Sequence, residues 1–240
     1  MKHKINLVVY ILLLWQLVAV IVNKELIVPY PLDVFQRMID MLTDFNFYQT
    51  LFITLSHVII VVAISALIAF VLAYLGYQKP LIDEYVSPLL TMIQAIPNIS
   101  FIILVLVWVS SLQTVYIVLF LVVFPLLYNN FIQGFKSIDH DLRDVILLYH
   151  PTCFEKYFKV YLPLIRPSFL SGMKSSLSLG VKVAVMAEIL AGLPYGVGRA
   201  INYSRIQFDM VGVFAWTVWL VIMILFIDYI LNKVMHDHEF

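Results

Sequence analysis

Charge is what this chain has least of. Asp, Glu, Lys and Arg make up 12% of its 240 residues, against 62% hydrophobic. Soluble domains carry about 25% charged residues, so a cytosolic globular enzyme is excluded. Disorder is excluded by the same scarcity, because disordered chains are polar and highly charged. A single cysteine, Cys153, rules out a disulfide scaffold. Lys plus Arg and Asp plus Glu both number 15, so no charge excess points to a nucleic-acid partner. Signature motifs are missing too. No P-loop is present, so the chain does not itself hydrolyse ATP, and neither the H-E-x-x-H zinc motif nor the G-x-S-x-G nucleophile occurs. No catalytic or metal-binding residue is expected, and Cys153 reads as an inert thiol. An intramembrane enzyme pairing His57 with an acidic residue of another span has no spacing to support it.

Long apolar runs take the place of charge. Mean hydropathy is +0.96, and at about 20 residues per span the length suits about six membrane helices. The runs read as Ile5–Val22, Gln49–Leu75, Tyr85–Val109, Thr114–Gly134, Pro167–Leu190 and Asp209–Leu231. Lys2 and Lys4 before the first run also fit a signal peptide, but the run is long and no small-x-small cleavage site follows, which favours a retained helix. The expected fold class is an all-α membrane protein, a six-transmembrane-helix bundle. Residues 1–48 hold the first span and an extracytoplasmic segment. Residues 49–231 form the main transmembrane domain, and 232–240 a cytoplasmic tail. Six spans put both termini on one side, and the positive-inside rule chooses it. If that side is cytoplasmic, its segments hold nine basic residues: Lys2, Lys4, Lys79, Lys136, Arg143, Lys156, Lys159, Arg166 and Lys233. The opposite segments hold four: Lys24, Arg37, Arg199 and Arg205. Both termini are therefore expected in the cytoplasm.

Residues 135–166 are the longest polar stretch between spans. Asp141 suits an N-cap for Leu142–Tyr149, and Pro151 disfavours helix at His150. Thr152-Cys153-Phe154-Glu155 fits a T-x-x-E capping box that starts a second short helix. That helix carries Phe154, Tyr157, Phe158 and Tyr161 beside Lys156 and Lys159. Two readings stand on composition: a helix lying on lipid headgroups, or a docking knob for a cytoplasmic partner.

Within this segment the chain resembles the permease subunits of ATP-binding-cassette importers, most closely the nitrate, sulfonate and taurine type. Their cytoplasmic loop reads E-A-A, three residues, G, then about a dozen residues to L-P. Counting back from Leu162-Pro163, Asp144 falls on the Glu, Val145 and Ile146 on the Ala pair, and His150 on the Gly. Phe158–Pro167 matches the downstream stretch. Val28–Val34, Ile96-Pro97, Phe124-Pro125, Gly134 and Ala187-Glu188 also fall where those permeases have similar residues. The resemblance implies a multi-pass subunit of a bacterial cell membrane with a specific set of partners. These are ATPase subunits that bind the ATP and Mg, a second permease chain (most simply a homodimer), an extracytoplasmic solute-binding protein, and the lipid bilayer. It implies ATPase coupling through Asp144, Val145, Ile146, Tyr149, His150, Pro151, Thr152 and Glu155. Asp144 keeps the charge one methylene shorter, and His150-Pro151 supplies the turn that glycine normally allows. The rival reading is a membrane scaffold with no solute path.

Polar residues at bilayer depth usually face a bundle interior or water. In the fifth span Ser168, Gly172, Ser176, Gly180 and Ala184 recur every four residues, a stripe that lets backbones approach closely. Ser171, Lys174, Ser175, Ser178 and Lys182 add a polar strip. Lys174 is near enough to the cytoplasmic interface to snorkel. Lys182 either lines a translocation path and attracts anions or pairs with another helix. Ser178, Glu188 and His57 are the further path candidates. Glu188 better suits closing an outer gate or packing a helix end than binding substrate, and His57 better suits a satisfied buried histidine than a ligand. Pro97 and Pro125 stand as hinges or as static kinks.

Overall fold

The computed structural model describes residues 2–139 and 160–236. Among them every regular element is helical. We number the helices α1 (Lys2–Val22), α2 (Pro31–Leu42), α3 (Phe45–Gln78), α4 (Pro80–Ala95), α5 (Asn98–Leu106), α6 (Ser111–Lys136), α7 (Arg166–Leu190), α8 (Val197–Ile206) and α9 (Met210–His236). A short turn at Leu162–Leu164 leads into α7. Three helices, α3, α6 and α9, are long and apolar enough to cross a membrane, or four spans if the bent pair α4–α5 counts as one. Helix α1 is apolar over Asn6–Val22.

Local chemistry sets the boundaries. Asp44 accepts from the Asn46 amide at 2.9 Å and starts α3. Ser110 and Gln113 form a reciprocal capping box that starts α6, satisfying two donors that the first turn leaves free. Asp209 accepts from the Gly212 amide at 2.8 Å at the head of α9. Pro31 and Pro80 sit in first turns, where a missing N–H costs nothing. The polar excursion after α1 is itself partly helical. In α2, Val34 and Met38 recur at helical spacing and bury against Ala215 of α9.

Helices α3, α6 and α7 pack mutually to make the core. Tyr128, Phe131, Phe135, Leu127, Val58 and Val181 are all fully buried there. The small-residue stripe of α7 lies in this interface, with Gly172, Ser176, Gly180 and Ala184 buried. A Cβ at Gly180 would stand 3.0 Å from Val58 of α3, and one at Gly172 would stand 3.0 Å from Asn130 of α6. The stripe is therefore a helix-crossing surface, because nothing larger fits at these points. For orientation we call the end holding residues 78–80 and 136–139 lower, and the end holding residues 43–45, 110 and 190–197 upper.

The two mid-span prolines behave differently. The expected single helix over Tyr85–Val109 is in fact two, α4 and α5, bent by 89° at Ile96-Pro97. Ile96 is extended, with φ −78 and ψ 128, the conformation a following proline imposes. Pro125 lies inside an unbroken α6 and is buried. Close neighbours hold the helix together there, whereas Ile96 and Pro97 are exposed.

Candidate functional site

The upper end holds a buried polar knot. Glu188, near the end of α7, is 0% exposed. Its carboxylate accepts from Thr54 Oγ1 at 2.9 and 3.0 Å and from the Gly198 amide at 2.9 Å. His57 Nδ1, one turn below Thr54 on α3, lies 3.2 Å from Glu188 Oε1. With the carboxylate accepting, the ring proton sits on Nδ1. Thr54 Oγ1 in turn accepts from the Val197 amide at 2.8 Å. The His57 ring meets Tyr116 edge-on at 5.3 Å. One carboxylate thus ties α3, α7 and the head of α8. The loop before α8 is shaped to receive it. Gly196 has φ +91, and a Cβ there would lie 2.6 Å from Glu188 Oε2, while a Cβ at Gly198 would overlap the Glu188 Cβ. Gly196 and Gly198 therefore give the carboxylate room, and Gly198 also gives it a backbone donor.

The polar strip of α7 lies on another face. Ser178 Oγ donates to Asp228 Oδ1 of α9 at 2.8 Å, and Lys174 Nζ donates to Asn232 Oδ1 at 2.9 Å. Ser171, Ser175 and Lys182 are exposed. No hydrogen bond or ion pair joins Lys182 to any other described residue. The structure thus brings His57 and Glu188 together and closes both from open space, while Ser178 and Lys182 stand apart from them along α7.

Two further clusters escaped the sequence. At the lower end Asp83 of α4 accepts from Lys136 Nζ at 2.6 Å, Tyr128 OH at 2.8 Å and Ser87 Oγ at 2.7 Å. It joins α4 to the last turns of α6, just before residue 140. Only Ser87 is a local partner of Asp83; Tyr128 and Lys136 lie 45 and 53 residues on, beyond any local pattern. At the upper end Arg37 Nη2 donates to Asp209 Oδ2 at 2.9 Å. That pair edges a cleft of about 530 Å³ also lined by Asp40, Asp44 and Arg199. The N-cap position of Asp209 before an apolar run was the available signal. The expected coupling residues Asp144, Val145, Ile146, Tyr149, His150, Pro151, Thr152 and Glu155 lie outside the described residues. Among the described residues no cluster of three metal-ligating side chains occurs.

Comparison with known proteins extends the picture. Residues 65–235 match the family described as "Binding-protein-dependent transport system inner membrane component". The formylaminopyrimidine transport permease protein ThiX of Halalkalibacterium halodurans is 28% identical over 207 residues, 85% of this chain and 82% of that protein. The putative aliphatic sulfonates transport permease protein SsuC of Bacillus subtilis is 22% identical over 198 residues, 81% of this chain and 71% of that protein. These relatives are transport permeases, not enzymes. An inward-facing structure of the MetNI methionine ABC transporter shares the fold, with a TM-score of 0.67 at 16% identity, covering 79% of this chain and 94% of that chain.

Proposed function

Because this chain belongs to the family of binding-protein-dependent transport system inner membrane components, and so is a multi-pass permease subunit of an ATP-binding-cassette importer, we propose how it works. Six helices span the membrane with both termini in the cytoplasm, so the lower end is the cytoplasmic one. Helices α1, α3, the bent pair α4–α5, α6, α7 and α9 are the six. Two copies form the solute path. ATPase subunits, which hold the ATP and Mg, dock under residues 135–166 through Asp144, Val145, Ile146, Tyr149, His150, Pro151, Thr152 and Glu155. An extracytoplasmic binding protein delivers a small solute to the upper face. Closure of the ATPases on ATP pushes residues 135–166 and rocks the bundles.

The observation that carries this reading is the family match over residues 65–235, a range that begins within α3, ends within α9 and includes 135–166. The basic residues clustered at the lower end support the orientation. Within the membrane the path passes Lys182 and Ser178. Glu188 and His57 fasten the upper end of the same helices rather than meet solute, since both are buried and bonded to each other. The names of the relatives span a pyrimidine, sulfonates and other small polar molecules, so the solute class is small and polar.

The test is a mild-detergent pull-down of the tagged chain from its native membrane with mass spectrometry of its companions. Near-equal amounts of a P-loop ATPase are expected. Absence of any ATPase across several detergents refutes the proposal and returns the chain to the scaffold reading.

A further inference from the structure

The polar strip of α7 and the break between α4 and α5 share one face of the chain. Leu179 of α7 lines a hollow of about 250 Å³ together with Gln94, Asn98 and Phe101 at the break. Lys182 stands one helical turn above Leu179, about 4.5 Å further along the axis. Gln94 is exposed and Asn98 half-buried. Neither amide is bonded to another described residue in the hydrogen-bond network that covers this face. The break itself interrupts the helical ladder, with only Ile96 N to Ile93 O at 3.2 Å bridging its near side.

Hydrocarbon cannot satisfy such groups. Each unbonded amide or open backbone group in lipid costs several kcal/mol, so irregular backbone at membrane depth occurs only where protein or water covers it. Ser171, Ser175 and Lys182 are exposed on the same side, and a lysine this far inside a span faces a cavity rather than lipid. The faces that do suit lipid look different. Ile60, Ile64 and Ile117 line a hollow between α3 and α6 whose walls are apolar apart from Tyr116. The charges on the polar face sum simply: Lys174 and Lys182 against Asp228 leave one net positive charge per copy.

We propose that this face, from Ser171 to Lys182 on α7 and across Gln94 and Asn98 at the break, is a hydrated lane of net positive charge that favours anionic over cationic solutes. The lane rests on the permease reading and adds to it a location and a charge preference. Carboxylates or sulfonates fit it best. Neutral solutes with hydrogen-bonding edges pass by exchanging water for the two amides. Permanently cationic solutes are disfavoured.

One native cysteine makes the test clean. In a Cys153→Ser background, single cysteines replace Gln94, Asn98 or Ser175, with Ile64→Cys and Phe226→Cys as controls on apolar faces away from the lane. Membranes are treated with two impermeant methanethiosulfonates, one carrying a sulfonate and one a trimethylammonium. The three lane positions are expected to react while the two controls stay unmodified. The sulfonate reagent is expected to gain relative to its rate on a free thiol. Adding Lys182→Gln should lower the sulfonate-to-ammonium rate ratio by roughly fourfold, the effect of one unit charge about 10 Å away through water. Unreactive lane cysteines overturn the hydrated face, and a ratio indifferent to Lys182 overturns its charge preference. Three positions are used so that one misfolded variant does not decide the outcome. Unreactive thiols in a chain that still co-purifies with an ATPase sink the lane alone. Reactive thiols with no ATPase sink the importer reading and leave the lane.

Discussion

Removing the carboxylate of Glu188 should loosen the upper end of the bundle. In Glu188→Ala the Gly198 amide and the Thr54 hydroxyl lose their acceptor, and so does His57 Nδ1. Leaving a buried donor unsatisfied costs about 1–3 kcal/mol. Three such donors give about 3–9 kcal/mol, before counting the cavity left by the lost methylenes. No water-facing route relieves the cost, because Glu188 is 0% exposed and His57 5%. Glu188→Gln keeps the volume and one acceptor, but turns an amide toward donors that need an oxygen, so it should cost about 1–3 kcal/mol. The assay is thermal unfolding of the purified chain in a fixed detergent, paired with protease cleavage at 192–196. The Ala variant should melt at least about 4 °C lower and be cut faster at that loop. Thr54→Val combined with Glu188→Ala should cost less than the two changes added, since both remove one network. Full additivity, or an Ala variant as stable as the wild type, would refute the claim that this carboxylate fastens α3, α7 and α8.

Other expectations follow the same logic. Gly180→Leu forces a side chain into the α3–α7 crossing, where even a Cβ comes within 3.0 Å of Val58. It should cost about 1–3 kcal/mol by overpacking, read as a lowered melting temperature, whereas Ser175→Leu on the exposed side of α7 should leave that temperature nearly unchanged. Asp83→Ala strands the fully buried Tyr128 hydroxyl and should cost about 1–3 kcal/mol, with faster proteolysis near residue 137 as the readout. Arg37→Ala removes an ion pair whose partners are 51% and 31% exposed, so it should shift stability by no more than about 1 kcal/mol. Asp144→Lys should abolish uptake while the melting temperature of the bundle holds; normal uptake in that variant would refute the docking assignment.

What the sequence made legible follows one physical divide. Features encoded within a turn or two were readable: the run at Pro167–Leu190 against α7 at Arg166–Leu190, the four-residue stripe through Gly172 and Gly180, and Ile96-Pro97 as an interruption. What became of that interruption was not readable, because Pro97 and Pro125 look alike along the chain. The difference is that Pro125 is buried among neighbours and Pro97 is not, and burial is a property of the packed bundle. The amphipathic α2 lies in the segment expected to be extracytoplasmic, and its Pro31 is at home in a first helical turn.

The same divide explains the polar clusters. Glu188 and His57 each stand out in the sequence, as path candidates and more readily as a helix-end residue and a buried histidine, but nothing along the chain joins them. They meet across 131 residues of chain, and Thr54, the third member, is a threonine in an apolar run with nothing local to mark it. Arg37 and Asp209 meet across 172 residues. A charge in an apolar chain announces that it needs a partner; the pattern along the chain does not say which one, since a helical period relates only neighbours three and four residues apart. That is also why Lys182 repays experiment. Every other charged side chain of α7 above its first turn has found a described partner, Lys174 on Asn232 and Glu188 on Thr54 and Gly198. A lysine this far into an apolar bundle, with no described partner, is hydrated unless a second copy of the chain or another protein covers it. Charge-selective labelling beside it reads directly whether water is there.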